Sequence, residues 1–236
     1  MEIKNKVIII TGASYGIGLA TARLLASEGA TVVLSARSKD KLEEISKEIP
    51  NSFPIMADMT SEDDINNLIN TTIKQFGRID ILINNAGQGI YGAIEKVNAL
   101  EYKKVIELNV VGVLIAMQKV IPHMREQGGG MILNISSLVT RAYIPYLGAY
   151  ASTKYALNAI SLTARAELAK DNIIVGIMLP GLTDTDFGKN AIKSDEVAVG
   201  MASRNRGNLP QADSPEYIAE RIKDAIESGD AETVAH

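Results

Sequence analysis

Tyr150 and Lys154 stand four residues apart in Tyr-Ala-Ser-Thr-Lys, a stretch that reads as the start of a helix, and Ser137 lies just upstream at the end of a strand-like run. On a helix this spacing puts the phenol and the ammonium on one face. A tyrosine titrates near pH ~10 when unperturbed, so it works as a proton donor or acceptor at neutral pH only where a nearby cation stabilises the phenolate. Lys154 is placed to be that cation. A Tyr-x-x-x-Lys also arises by chance with both side chains on the surface, so its meaning depends on the rest of the chain.

A second group with chemical meaning is Thr11-Gly12-Ala13-Ser14-Tyr15-Gly16-Ile17-Gly18, between an apolar strand and a helix. Glycines there let the backbone turn tightly and approach a pyrophosphate, and the following helix N-terminus offers unpaired N–H groups and a positive dipole end. Without a ligand the same residues make an ordinary tight βα connection. The second strand ends in Ser35-Ala36-Arg37, where a free ribose 2′-hydroxyl would be met by a carboxylate, and none is present. Arg37 suits a 2′-phosphate, with Ser14 as a donor, so NADP(H) is favoured over NAD(H); otherwise Arg37 is a solvated surface residue. Asp58, with Met59 after it, is expected on the adenine side, accepting from the amino group, or else serves as a helix-start acid.

The elements that must position these groups alternate from end to end. Short β-branched runs at 6–11, 31–36, 53–57, 79–84, 131–135 and 173–179 are separated by amphipathic segments at 16–29, 40–48, 62–76, about 98–124 and about 149–169. This is the pattern of repeated βαβ units: a doubly wound, Rossmann-type parallel sheet in a three-layer α/β/α single domain spanning 1–236. Thr60 or Ser61 can cap the third helix, Ser214-Pro215 starts a last one, and Glu232 to Ala235 can form a short final strand. Residues 182–212 are rich in Gly, Ala, Asn and Ser, which predicts a substrate lid at 186–212. The two long helices are apolar around more of their circumference than one buried stripe needs, as a subunit interface would require.

Composition narrows the function classes. With 24 basic against 28 acidic residues and no cluster of lysine or arginine, nucleic acid and anionic membrane are not expected partners. The absence of cysteine rules out disulfides and thiolate metal sites, and two scattered histidines do not build a zinc site, so no metal is expected. The N-terminus reaches a strand-like run too quickly for a signal peptide, which predicts a cytoplasmic protein.

These motifs, together with Asn84-Asn85-Ala86-Gly87 after the fourth strand, resemble the short-chain dehydrogenase/reductase family from about residue 5 to 187. The resemblance implies hydride transfer between a nicotinamide and a carbonyl or alcohol carbon of a small molecule. It implies Tyr150 as general acid or base, Ser137 as the group holding the substrate oxygen, and Lys154 lowering the Tyr150 pKa and binding the nicotinamide ribose. Alternation along the strand would turn the adjacent Ser136 to the other face. Asn109 matches the asparagine that holds a water in a proton relay to the lysine. Asn85, Ala86, Gly87, Pro180, Gly181, Thr183 and Thr185 fall at cofactor-contacting positions, Thr183 replacing a usual aliphatic residue. Topology then walls the substrate with Gln88 to Tyr91, Leu138 to Tyr146 and residues after Thr185, leaving Arg141 either to recognise an anionic substrate or to serve as a structural arginine. A homotetramer or homodimer through the long helices is expected. The competing reading is a dinucleotide-binding regulatory protein of the same fold without turnover.

Overall fold

Each apolar run becomes a strand, and those inside the sheet are buried on both faces, as a parallel sheet between two helical layers requires. The computed structural model describes residues 1–194 and 211–235. Strands β1 (Val7–Thr11), β2 (Thr31–Ala36), β3 (Ser52–Met56), β4 (Ile81–Asn84), β5 (Ile90–Tyr91), β6 (Gly130–Ile135), β7 (Ile173–Leu179), β8 (Ile192–Lys193) and β9 (Glu232–Val234) divide between two sheets. The main sheet runs β3-β2-β1-β4-β6-β7-β9 with every pair parallel. The winding direction reverses between β1 and β4, so the crevice at their carboxyl ends is the topological switch point where such sheets bind ligands.

Helices α1 (Gly16–Ser27), α2 (Lys39–Glu48), α3 (Glu62–Phe76), α4 (Ala99–Ile106), α5 (Gly112–Glu126), α6 (Gly148–Leu168) and α7 (Pro215–Ser228) supply the outer layers. Ile8, Ile10, Leu34 and Ile83 pack toward α1, α2 and α7, whereas Ile9, Val33, Leu82 and Ile132 pack toward α3, α5 and α6. The period of two along each strand thus separates two cores. Each fully buried isoleucine or leucine contributes about 1.5–3 kcal/mol, so a polar replacement on either face would open one layer. This doubly wound, single-domain α/β arrangement is the one expected from the alternation.

Several boundaries differ in informative ways. The fourth strand starts at Ile81 rather than 79 because Arg78 and Asp80 form a two-pronged ion pair at its entry, and Asp80 also accepts from the Val7 amide. Ser61, not Thr60, caps α3 through the Asp64 amide, since the Thr60 hydroxyl is turned to Asp58. The helix expected at 98–124 is two, α4 and α5, joined by a π-type turn over Glu107–Val111 that contains Asn109. Gly112 follows it because a Cβ there would lie 1.9 Å from the Met59 carbonyl oxygen.

The stretch Ala99–Glu126 is long and apolar enough to cross a membrane, yet Val113, Ala116, Met117, Val120 and Met124 are core residues against the sheet. Leu114 on α5 and Tyr155 on α6 are exposed, the apolar surplus read from the sequence. The pairing of β5 with β8 was not expected; it joins the segment after β4 to the segment after β7. Of the lid expected at 186–212, residues 186–194 include β8, and 195–210 lie outside the described residues.

Candidate active site

The glycine turn leaves β1 with Gly12 at φ 67° and Gly16 at φ 55°, left-handed conformations in which a Cβ is strained. Gly18 is required for a different reason: a Cβ there would lie 2.4 Å from the Gly12 carbonyl oxygen and 2.6 Å from Asn85 Nδ2. The turn is held by contacts across the switch point. Asn85 Nδ2 donates to the carbonyls of Thr11 at 2.9 Å and Gly12 at 3.2 Å, and the amides of Asn85 and Ala86 both donate to Thr11 Oγ1 at 3.0 Å. Asn85 therefore shapes the cradle through its side chain, and Thr11 locks it. Asn84, the first residue of the motif, points into the sheet and donates to Asn134.

The N-terminus of α1 carries no side-chain cap at Tyr15 and no acidic residue in its first turn, whereas α3 has Ser61 and three acids at the same place. The first-turn amides of α1 thus carry no side-chain cap, the condition under which a helix N-terminus can take an anion. Ser14, Gly16 and Ile17 are partly accessible along this edge, and Thr185 closes it, its methyl 3.1 Å from where a Gly16 Cβ would be. Arg37, at the end of β2, is exposed and has no hydrogen-bond or ion-pair partner among the described residues. The Asp58 Oδ1 atom accepts from the Thr60 amide and hydroxyl in the turn before α3, with Oδ2 not used in that turn; Met59 behind it is buried. The Pro180 carbonyl accepts from the Leu138 amide, Gly181 from the Thr183 hydroxyl, and Thr183 bridges to Asp213, which fixes the loop after β7.

At the carboxyl ends of β6 and α6's first turns, Ser137, Tyr150 and Lys154 converge. Tyr150 is 7% and Lys154 5% exposed. Burial pushes the Tyr150 phenol above its ordinary value, neighbouring Tyr91 adds to this, and a hydrogen bond with Ser137 pulls it back. The direction is opposite to the lowering expected of Lys154, because removing the phenolate from water dominates; Lys154 Nζ lies 5.9 Å from the ring centroid. Burial also pushes Lys154 down to about 8, which leaves it largely protonated at neutral pH. Lys154 Nζ donates to the Ile135 carbonyl at 2.8 Å, tying α6 to β6.

Asn109 lies beside this pair: the space a Gly87 Cβ would occupy is 3.3 Å from Asn109 Oδ1 and 3.8 Å from Lys154 Nζ. Its side-chain amide accepts from the Gln88 N–H at 2.9 Å and donates to the Gln88 carbonyl at 2.9 Å and Thr153 Oγ1 at 3.1 Å. The side chain is thus committed to the loop after β4 and to α6. Any relay through Asn109 would use its backbone.

The substrate side is aromatic. The Tyr150 ring meets Tyr91 edge-on at 6.2 Å and Phe187 at 5.8 Å, and β5 and β8 hold these segments over it. Arg141 forms an ion pair with Glu232 at the start of β9, a contact of the structural kind among its two expected roles. Tyr143, Ile144 and Tyr146 are exposed beyond the 3-10 turn Leu138–Arg141. Thr153 and Asn158 also contact these residues although the sequence motifs do not single them out. Thr140 and Phe187 fall within the stretches expected to wall the substrate, and Thr11 adjoins the first glycine of the turn.

Comparison with known proteins places this geometry. The family described as short chain dehydrogenase matches residues 6–196. An uncharacterized oxidoreductase of Staphylococcus saprophyticus is 38% identical over 217 residues, 84% of this chain and 88% of that protein. The X-ray structure of an alcohol dehydrogenase from Thermococcus sibiricus complexed with 5-hydroxy-NADP superposes with a TM-score of 0.84 at 29% identity, covering 98% and 96% of the two chains. The 3-ketoacyl-(acyl-carrier-protein) reductase of Brucella melitensis complexed with NADH gives a TM-score of 0.85 at 28% identity, over 99% and 96%.

Proposed function

The chain belongs to the short-chain dehydrogenase family of oxidoreductases, and from that premise we propose that it is an NADP-dependent enzyme interconverting a carbonyl and a secondary alcohol on a small molecule, with Tyr150 as proton donor and acceptor. The observation that carries this reading is the convergence of a buried phenol, the neighbouring Ser137 and a buried ammonium beside the glycine cradle. Gly12, Ser14, Gly16, Ile17, Gly18 and Thr185 would hold the pyrophosphate side of the dinucleotide, and Gly87, Lys154 and the Pro180 to Thr183 loop its nicotinamide side. When bound, the nicotinamide supplies the hydride in reduction and accepts it in oxidation. Ser137 holds the substrate oxygen, and Tyr150 delivers the proton to that oxygen as the carbon–oxygen double bond becomes a single bond. A phenol kept protonated by burial is set to donate, and Lys154 nearby stabilises the phenolate left behind.

Preference for NADP rests on Arg37, a guanidinium unpaired among the described residues, with no carboxylate at the end of β2. The two ligand-bound relatives carry different cofactors, 5-hydroxy-NADP in one and NADH in the other. The aromatic wall of Tyr91 and Phe187 supports an apolar carbonyl substrate. Exposed Leu114 and Tyr155 support association through α5 and α6, which sedimentation at micromolar concentration would refute by finding only monomer.

The test is a panel of ketones, β-keto esters and secondary alcohols, followed by the absorbance of reduced nicotinamide with NADPH and NADH in parallel. Turnover faster with NADPH is expected. Tight cofactor binding with no turnover across the panel would favour the regulatory reading, and faster turnover with NADH would remove the role given to Arg37.

A further inference from the structure

Asn158 stands on α6 two turns beyond Tyr150, and its side chain reaches back to the backbone that carries Ser137. Ser136 Oγ contacts Asn158 Oδ1, Asn158 Nδ2 lies 3.2 Å from Thr140 Oγ1, and Thr140 Oγ1 lies 2.9 Å from the Ser137 carbonyl. The direction of these bonds is set by the supply of protons. The Thr140 hydroxyl has one hydrogen, which its bond to the Ser137 carbonyl uses, so toward Asn158 it can only accept. That fixes the Asn158 amide with its NH2 on Thr140 and its oxygen on Ser136, and makes Ser136 a donor. Reversing the amide would set Asn158 NH2 against Ser136 and two acceptors against each other at Thr140.

The two residues joined by Asn158 bracket Ser137. On one side Ser136 is the last buried position before the turn, its amide bonded to the Met178 carbonyl at 2.7 Å; on the other, Thr140 closes the turn onto Ser137. The sheet therefore fixes Ser137 relative to β7, while Asn158 fixes it relative to α6, the helix that carries Tyr150 and Lys154. Asparagine is a weak helix former in mid-helix, and its short side chain is otherwise better used in caps and turns. Its presence here has a physical reason in this bridge.

We propose that Asn158 is a positioning residue for Ser137: by clamping Ser136 and Thr140 to α6 it fixes the backbone that presents the Ser137 hydroxyl toward the Tyr150 phenol. This rests on the proton-transfer reading of Ser137 and Tyr150. Asn158 touches neither substrate nor cofactor. Releasing the clamp lets Ser137 drift by a fraction of an ångström, a displacement that lowers the rate of proton transfer while leaving the cofactor cradle untouched.

The test is a double-mutant cycle of Asn158→Ala and Ser137→Ala in the full-length protein, with phenanthrenequinone and NADPH as probes, alongside NADPH titration by fluorescence and thermal unfolding. In the wild-type background Asn158→Ala should lower kcat by about tenfold with the NADPH dissociation constant unchanged within about twofold. In the Ser137→Ala background the same substitution should change kcat by less than about twofold, because the group it positions is gone. Thr140→Val should mimic Asn158→Ala, and Ser136→Thr, which keeps the hydroxyl, should retain kcat where Ser136→Ala does not. Equal losses in both backgrounds, or no loss in the wild-type background, would overturn the positioning role and leave the enzyme reading standing. If Asn158→Ala does not fold, Ser136→Ala and Thr140→Val carry the same cycle against Ser137→Ala. A wild type that binds NADPH but reduces no carbonyl would overturn the enzyme reading and this inference with it.

Discussion

Replacing Tyr150 with phenylalanine separates chemistry from architecture at the residue on which the proposed reaction depends. The ring is nearly buried, edge-on to Tyr91 at 6.2 Å and tilted against Phe187 at 5.8 Å, and phenylalanine keeps every one of these contacts. What it loses is one hydroxyl and at most one hydrogen bond, with the neighbouring Ser137. A net intramolecular hydrogen bond contributes about 0.5–1.5 kcal/mol, and not having to bury the hydroxyl offsets part of that, so stability should change by no more than about 1 kcal/mol. Removing a general acid typically costs about 10²–10⁴ in rate, or roughly 3–5 kcal/mol of barrier. Urea unfolding, NADPH titration and kcat on the fastest carbonyl of the panel measure the three quantities on one preparation. Unchanged unfolding and cofactor affinity with a loss of two decades or more in kcat is the expected outcome. A variant keeping more than about a tenth of wild-type turnover would refute the acid/base role, since positioning by the ring alone would then suffice.

Arg37→Asp removes the cation offered to the 2′-phosphate and supplies a carboxylate for a 2′-hydroxyl; the ratio of kcat/KM for NADPH to NADH should fall by about tenfold or more, the size of a charge-assisted hydrogen bond, and an unchanged ratio would show that Arg37 does not touch the cofactor. For Gly18→Ala, a Cβ 2.4 Å from the Gly12 oxygen forces the turn apart and displaces Asn85; a loss of about 1–3 kcal/mol in unfolding together with weaker NADPH binding is expected, and wild-type values of both would contradict the packing argument. Burial holds Lys154 at about 8 against an ordinary 10.5. Between those values the unfolded chain binds more protons than the folded one, so stability rises with pH, at a slope of about 1.4 kcal/mol per pH unit. Measured as wild type minus Lys154→Met, that rise between about pH 8 and 10 should reach roughly 2–3 kcal/mol in the cofactor-free protein, and a flat or falling difference would mean that Lys154 is better solvated than its burial indicates.

The boundary between what was legible in the chain and what was not follows the range of the interactions. Strand and helix periods, the glycine turn, the Ser214-Pro215 helix start and the Tyr150 to Lys154 spacing are local, and local rules of period, turn and cap read them to within a residue or two. The family followed from motifs of the same kind. The direction of the Tyr150 shift did not, because desolvation depends on Tyr91, Phe187 and the β5–β8 pairing, which bring together segments about a hundred residues apart. The partner of Arg141, Glu232 on β9, lies 91 positions away. Thr11 and Asn85 are 74 apart, and Ser136 and Asn158 are 22 apart on different elements. Which side chain completes another's hydrogen bonds is decided by the order of strands in the sheet, so only the assembled fold shows that Asn109 holds a loop, that Asn85 shapes the cradle, and that Asn158 lies behind Ser137.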